Sequence, residues 1–297
     1  MAHRAAELPG AGGPGSVRAV VMTMGALHEG HASLIRAARQ RVGPRGQVVV
    51  TVFVNPLQFG AGEDFDRYPR TLSEDARLAA EAGADLVFAP AGKEIYPAGE
   101  PEVRISAGPA GERLEGVHRP GHFDGMLTVV AKLLHLTRPD VALYGEKDAQ
   151  QLMLIRRMVR DLDFPVEIAG VPTVREDDGL ARSSRNRYLS ASARRTALGL
   201  FRALSAARAV TRSGPVSGGM SGSAAGPAAA RAAAQEVLDG AASHDPPLLL
   251  DYLALVDPAD FRDVPGDHTG EALLAVAARV DGTRLIDNVR LHFGASS

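Results

Sequence analysis

The stretch VMTMGALHEGHASLIRAA, residues 21–38, decides the fold because an apolar run gives way there to a helical pattern. The run VRAVVMT at 17–23 is nearly all apolar, which indicates a strand buried on both faces. After His31, apolar side chains recur at the spacing of an amphipathic helix. Two glycines and two histidines, His28 and His31, occupy the junction. A strand that turns directly into a helix is the unit from which α/β sheets are built.

The alternation of strand and helix continues to about residue 170. Further buried strands are predicted at 48–54, 84–90, 140–145 and 165–171, and helices at 71–82, 124–137 and 148–161. Strands separated by helices pair in parallel through right-handed crossovers. We therefore expect a Rossmann-like open parallel sheet of the α/β class. In such sheets, ligands bind at the carboxyl ends of the strands, which is where 21–24 lead.

The pattern changes after residue 173. Ala- and Arg-rich helices are predicted at 191–212 and about 227–240, and three strands at 248–257, 272–280 and 283–291. We expect a flexible N-terminal tail at 1–16, a Rossmann-like ligand-binding domain at 17–173, a smaller C-terminal α+β domain at 174–297, and a flexible Gly/Ser-rich insertion at 213–230.

Composition excludes several classes of protein. The 297 residues include no cysteine, which removes disulfides, zinc ribbons and a thiolate nucleophile and is typical of a reducing, cytoplasmic compartment. The 33 basic and 35 acidic residues give a net charge of −2, so a nucleic-acid partner is not expected. No run approaches the roughly 20 apolar residues that span a membrane, and no signal peptide is predicted at the N-terminus.

The HEGH segment at 28–31 has three interpretations. A metal site is weakly supported, because no third ligand follows at a fixed spacing and the His-Glu-x-x-His zinc pattern does not fit. A phosphate site is better supported, since a helix N-terminus attracts anions, Gly30 permits close approach, and imidazoles add donors. The third interpretation is that His28 and His31 only satisfy local hydrogen bonds. The four residues alone leave the last two open.

Three other segments carry polar side chains of interest. In YGEKDAQQ, 144–151, Lys147 suits a phosphoryl group and Gln151 a hydroxy acid, although Asp148 is also a plausible helix cap. The RSSRN segment at 182–186 is typical of an anion-binding loop, or else of a polar interdomain loop. In FVNPLQFGAGEDFDRYP, 53–69, two amide side chains could line a small polar pocket. Neither a dinucleotide fingerprint nor a P-loop is present.

Together these segments resemble the pantothenate synthetase (pantoate–β-alanine ligase) family of the His-x-Gly-His nucleotidyltransferase superfamily. The resemblance runs from residue 17 to 291, outside the 213–230 insertion. It is carried in order by TMGALHEGH, FVNPLQF, RPGHFDG, GEKDAQQ, SSRNRYLS and TRLIDN. It implies that ATP activates (R)-pantoate as a pantoyl adenylate with release of diphosphate. β-Alanine then attacks the acyl group, giving pantothenate and AMP.

The resemblance also implies residue roles. ATP contacts are implied for Met24, Gly25, Ala26, Leu27, His28, Glu29, Gly30, His31, Gly145, Glu146, Lys147, Asp148, Val174, Arg182, Ser183, Ser184 and Arg185. The catalytic set implied is His28, His31 as proton donor, Lys147 and Arg185. Pantoate contacts are implied for Asn55, Gln58 and Gln151, with Gln58 also facing β-alanine. Mg²⁺ is implied as an ion held mainly by the ATP phosphates, with no protein ligands.

Two positions depart from the family pattern, and two alternatives remain at this stage. Met22 stands where proline is usual, and Arg182 stands where methionine or leucine is common. One alternative is another HxGH nucleotidyltransferase without acyl ligation, and the other is a non-catalytic nucleotide-binding relative. The first would want extra basic residues for a phosphorylated acceptor, where this chain offers the amides of Asn55, Gln58 and Gln151. The second should have lost at least one of His28, His31, Lys147 and Arg185, and all four are present. A homodimer is expected from the resemblance.

Overall fold

A computed structural model describes residues 1–10, 16–60, 65–212 and 226–294. The chain forms two compact units. The N-terminal unit comprises Met1–Glu146 and Gln150–Val174, and the C-terminal unit comprises Lys147–Ala149 and Arg175–Ser297. The predicted class, a Rossmann-like parallel sheet accompanied by a smaller α+β domain, is confirmed.

The N-terminal unit is built on five parallel strands in the order β3-β2-β1-β4-β5. The strands are β1 (Arg18–Thr23), β2 (Gln47–Val52), β3 (Leu86–Phe88), β4 (Val141–Gly145) and β5 (Glu167–Val171). The chain runs outward from β1 to β3 on one side and then returns to β4 on the other side of β1. This reversal creates a crevice beyond the carboxyl ends of β1 and β4, the usual ligand position in open α/β sheets.

Helices cover the sheet. They are α1 (Glu29–Val42), α2 (Leu72–Glu81), α3 (Gly92–Ile95), α4 (Glu115–His118), α5 (His122–Thr137) and α6 (Ala149–Asp161). In α1, Ala32, Ile35 and Ala38 are buried at the predicted spacing and pack on the strands. The small and β-branched side chains of the central strands let this layer pack closely.

The N-terminal residues correct the expectation of a flexible tail at 1–16. Ala2 is only 1% exposed, and its backbone joins the edge of β3: its N–H donates to Val87 O and its carbonyl accepts from Ala89 N–H, both at 2.9 Å. Arg18 donates to the carbonyls of Pro9 and Gly10. Backbone pairing at a strand edge does not depend on side-chain composition, so composition did not reveal it. Residues 11–15 lie outside the described residues.

The C-terminal unit packs two helices against an antiparallel sheet of order β6-β7-β8. Its elements are α7 (Ala191–Arg212), α8 (Pro227–Ala242), β6 (Leu248–Val256), β7 (Gly270–Val280) and β8 (Thr283–Phe293). The insertion at 213–230 was expected to extend to residue 230, but α8 already begins at Pro227, because proline is favoured at the first helical position. Residues 213–225 lie outside the described residues.

Across the described ranges, the structure contains no helix with the length and hydropathy required to cross a bilayer.

Gly125 on α5 provides a test of the packing. A Cβ atom there would lie 2.0 Å from the Leu57 carbonyl oxygen, so Gly125→Ala should lower the free energy of unfolding by about 1–3 kcal/mol through overpacking. The matched control is Gly240→Ala in α8, where nothing lies within 4 Å and alanine should stabilise by up to about 1 kcal/mol. Denaturant unfolding followed by circular dichroism measures the stability of both variants. Equal unfolding midpoints would contradict the close contact of Gly125 with Leu57.

Candidate active site

The turn between β1 and α1 has an unusual backbone conformation. Gly25 has φ +83°, and a Cβ atom there would lie 3.0 Å from Asp75 Oδ2 and 3.1 Å from Val52 Cγ1. Ala26 follows with φ +51°, a left-handed conformation that costs a non-glycine residue about 1–3 kcal/mol. Such a conformation persists only where surrounding contacts enforce it.

Asp75 on α2 enforces that conformation. Its carboxylate, 3% exposed, accepts hydrogen bonds from Ala26 N–H at 3.1 Å, Leu27 N–H at 2.8 Å and the Thr71 hydroxyl at 3.2 Å. Sequence reasoning missed this residue. An acidic residue early in a predicted helix was visible, but that signal normally indicates only a favourable interaction with the helix dipole. The structure makes Asp75 the support of the turn that carries the histidines.

His28 and His31 form the start of α1. His28 is the N-cap residue, and its Nδ1 accepts from Gly30 N–H at 3.1 Å, while His31 Nδ1 accepts from His28 N–H at 3.2 Å. The ring centroids are 4.2 Å apart. A ring nitrogen that accepts carries no proton, so each neutral ring has its proton on Nε2. The local hydrogen bonds therefore orient two N–H donors at a helix N-terminus, an arrangement suited to an anion.

Asn55 and Gln58 form a buried amide pair after β2. The Tyr96 hydroxyl donates to Asn55 Oδ1 at 2.8 Å, and Asn55 Nδ2 donates to Gln58 Oε1 at 3.0 Å and to Gly125 O at 3.1 Å. Burial raises the pKa of Tyr96, so its hydroxyl keeps the proton that this chain requires. Because Gln58 Oε1 is an acceptor here, its Nε2 is the end available to a ligand as a donor.

A cavity of about 630 Å³ lies beside this pair. Its polar lining includes Gln58, Lys93, Tyr96, Arg104 and His122. The volume is within the range of small-molecule sites. All of the lining residues belong to the N-terminal unit.

The RPGHFDG segment holds the main chain of Gln58. Arg119 Nη2 donates to the Gln58 carbonyl at 3.1 Å, and Arg119 Nη1 donates to His122 Nε2 at 3.1 Å. With Nε2 accepting, the His122 proton lies on Nδ1, which donates to the same Gln58 carbonyl at 2.9 Å. The resemblance implies no role for these residues. In the structure, they fix the position of the Gln58 main chain.

The two glutamines at the start of α6 differ in their surroundings. Gln150 is buried and uses its side chain on the main chain, donating to Ala110 O and Arg113 O and accepting from Glu115 N–H. Gln151, the predicted ligand, is half-buried. Gln150 is therefore a structural residue, and Gln151 remains the candidate.

The C-terminal unit brings together Lys147 and the RSSRN segment. Lys147 Nζ donates to the Arg182 carbonyl at 3.2 Å. The Ser183 hydroxyl accepts from Arg185 N–H at 3.2 Å and so begins a short 3₁₀ helix, Ser184–Tyr188. Arg182 Nε is buried without a hydrogen-bond partner. A buried, unsatisfied N–H donor in the residue whose carbonyl accepts from Lys147 suits an anionic ligand.

An ion-pair cluster supports this loop. Glu176 accepts from Asn186 Nδ2 at 2.8 Å and from Arg194 Nη2 at 2.5 Å. Burial alone would raise the pKa of Glu176, but these hydrogen bonds and the nearby guanidinium lower it below its usual value. Glu176 is therefore ionised and links Asn186 in the loop to Arg194 in α7. Sequence reasoning missed this carboxylate.

In the part of the chain that the structure describes, no group of three or more His, Asp or Glu side chains is arranged to hold a metal ion.

Comparisons with known proteins match most of the chain to one family. The family model for pantoate–β-alanine ligase matches residues 10–290. The pantothenate synthetase of Streptomyces avermitilis is 65% identical, with the match covering 94% of each chain. The crystal structure of pantothenate synthetase from Thermus thermophilus has a TM-score of 0.84 at 48% identity, covering 96% of this chain and 95% of that one.

A further structure, the pantoate–β-alanine ligase of Francisella tularensis complexed with β-γ ATP and β-alanine, has a TM-score of 0.69. It is 33% identical, and the match covers 93% of this chain and 90% of that one.

The role of Asp75 can be tested through the amides that it binds. Asp75→Asn should increase hydrogen exchange at Ala26 and Leu27 by about tenfold or more, because a hydrogen bond to a charged acceptor contributes about 1.5–3 kcal/mol. The NH₂ group of the asparagine would also face a backbone N–H, so two donors would oppose each other. The control is Arg77→Gln on the same helix, where an exposed pair with Glu81 is lost. Unchanged exchange in Asp75→Asn would contradict this support of the turn.

Proposed function

The chain belongs to the pantoate–β-alanine ligase family, and from this membership we propose a role for each part of the site. The enzyme is a ligase that joins pantoate and β-alanine into pantothenate, with ATP as a substrate. The observation that carries the proposal is the pair of imidazoles at the start of α1, both oriented with Nε2–H as donor.

The reaction proceeds in two displacements. A pantoate carboxylate oxygen attacks the α-phosphorus of ATP, the bond to the bridging oxygen breaks, and diphosphate leaves with that electron pair. The β-alanine amine then attacks the acyl carbon of pantoyl adenylate, AMP leaves, and the amine nitrogen loses its proton. The first step concentrates negative charge on phosphate oxygens, so the protein contributes chiefly by positioning and electrostatic stabilisation.

The phosphate-binding set combines neutral donors with permanent charges. His28 and His31 donate hydrogen bonds to phosphate oxygens. His31 is the proposed proton donor, and it acts in that role as the imidazolium, after taking up a second proton on Nδ1. Lys147 and Arg185 neutralise the charge that develops in the transition state. The rest of the ATP site is formed by residues 24–31 and 145–148, by Val174 and by the loop at 182–185, as the resemblance implies.

The substrate set consists of amides. Gln58 directs its Nε2 donor at the oxygens of pantoate and at the carboxylate of β-alanine, and Gln151 contacts pantoate. Asn55 was expected to bind pantoate, but it is 1% exposed and both ends of its amide bond protein atoms. We therefore revise its role to that of orienting the Gln58 side chain.

ATP use implies Mg²⁺, which would enter with ATP and be held mainly by the phosphate oxygens. We place the enzyme in the cytoplasm, where ATP is supplied, and keep the homodimer as a prediction. The family match favours this ligase over a nucleotidyltransferase without acyl ligation and over a non-catalytic relative.

Pantoate-dependent exchange tests the adenylate directly. Labelled diphosphate should enter ATP only when pantoate is present, and pantothenate should form only after β-alanine is added. Folded protein that catalyses no exchange would overturn the mechanism, while exchange without pantoate would indicate a different acceptor.

A matched pair of variants at Lys147 tests its electrostatic role. Lys147→Met, which keeps length but removes charge, should lower the rate of adenylation by about 10²–10³-fold, the usual effect of losing one transition-state contact. Lys147→Arg should retain part of the activity. Single-turnover kinetics and calorimetry separate adenylation from pantoate binding. Equal losses in the two quantities would assign Lys147 to ground-state binding instead.

A further inference from the structure

We propose that Asn288 on β8 is a positioning residue for Lys147, and the inference rests on the catalytic role of that lysine proposed above. Asn288 Nδ2 donates a hydrogen bond to the Lys147 carbonyl oxygen at 2.8 Å. At the other end of the residue, Lys147 Nζ donates to the Arg182 carbonyl at 3.2 Å. The lysine is thus held at its main chain by a strand and at its ammonium by the anion-binding loop.

The local chain cannot supply this anchoring. Lys147 lies in a single 3₁₀ turn, Glu146–Asp148, and its side chain has four rotatable bonds. Only Lys147–Ala149 of this stretch groups with the C-terminal unit, whereas Glu146 and Gln150 belong to the N-terminal one. Within the C-terminal unit, the hydrogen bond from Asn288 ties the turn to the antiparallel sheet.

Asn288 is itself fixed by a buried ion pair. The preceding residue, Asp287, is 4% exposed and accepts from Asn288 N–H at 2.8 Å. Its carboxylate also receives two hydrogen bonds from Arg175, at 2.6 and 3.0 Å, and that guanidinium stacks 5.0 Å from the centre of the Phe201 ring. A side chain supported in this way on a paired strand is a rigid reference for a functional group.

The chemistry of the amide explains the residue type. Asparagine offers an N–H donor to a carbonyl without placing a charge near the ammonium of Lys147. Aspartate, of almost the same shape, would set an oxygen against the Lys147 carbonyl oxygen and lose the bond. The substitutions Asn288→Ala and Asn288→Asp therefore remove the same contact in two different ways.

The experiment measures pantoate-dependent diphosphate exchange in the full-length protein. Asn288→Ala and Asn288→Asp should lower the adenylation rate about 10- to 100-fold, the scale of a small misplacement of a catalytic group. The KM for pantoate should stay within about twofold, because Asn288 bonds the Lys147 carbonyl and neither of the amides proposed for pantoate, Gln58 and Gln151. Arg290→Ala is the control on the same strand, since its ion pair with Glu271 is partly exposed, and its rate should be unchanged.

A double-mutant cycle distinguishes positioning from simple stability. In a Lys147→Met background, the Asn288 substitutions should have no further effect, because the group that they position is gone. Equal losses in both backgrounds, including losses caused by unfolding, would show a structural role only and overturn the inference. Wild-type rates in the Asn288 variants beside an inactive Lys147→Met would also overturn it. An active Lys147→Met would instead refute the proposed role of the lysine.

Discussion

The hydrogen bonds between the Asp75 carboxylate and two backbone amides hold the turn after β1 in a conformation that its residues would not keep unaided. The first helix begins where this turn ends, so the direction of α1 and the positions of His28 and His31 both follow from it. A buried carboxylate is unfavourable unless its charge is satisfied locally, and three donors satisfy it here. The same contact that holds Ala26 in its strained conformation also fixes the start of the segment that we propose binds phosphate.

Much of the fold was predictable because it depends on short-range pattern. The run at 17–23 is nearly all apolar because β1 is central and covered on both faces, and the helical spacing after His31 indicates which side of α1 meets the sheet. The His-x-Gly-His junction was predictable for the same reason, since a helix start leaves its mark within four residues. Lys147 and the 182–185 loop were found through motifs rather than through periodicity.

What the sequence did not reveal depends on contacts between distant residues. Asp75 supports a turn almost fifty positions earlier in the chain, and nothing in its own helix distinguishes it from an ordinary acidic residue. The sequence also did not show how deeply the Asn55 amide is buried, which is the basis of the orienting role that we propose for it. The pairing of Ala2 with β3 uses only backbone atoms, and these carry no sequence signal.

The tautomers at the helix start have an energetic consequence. An imidazolium carries a proton on both nitrogens, so His31 can take up a second proton only by releasing the His28 amide from Nδ1. Charging the ring and loosening the first turn of α1 are therefore one coupled event. The side chain that we propose as the proton donor is therefore also the one whose Nδ1 holds the first turn of α1.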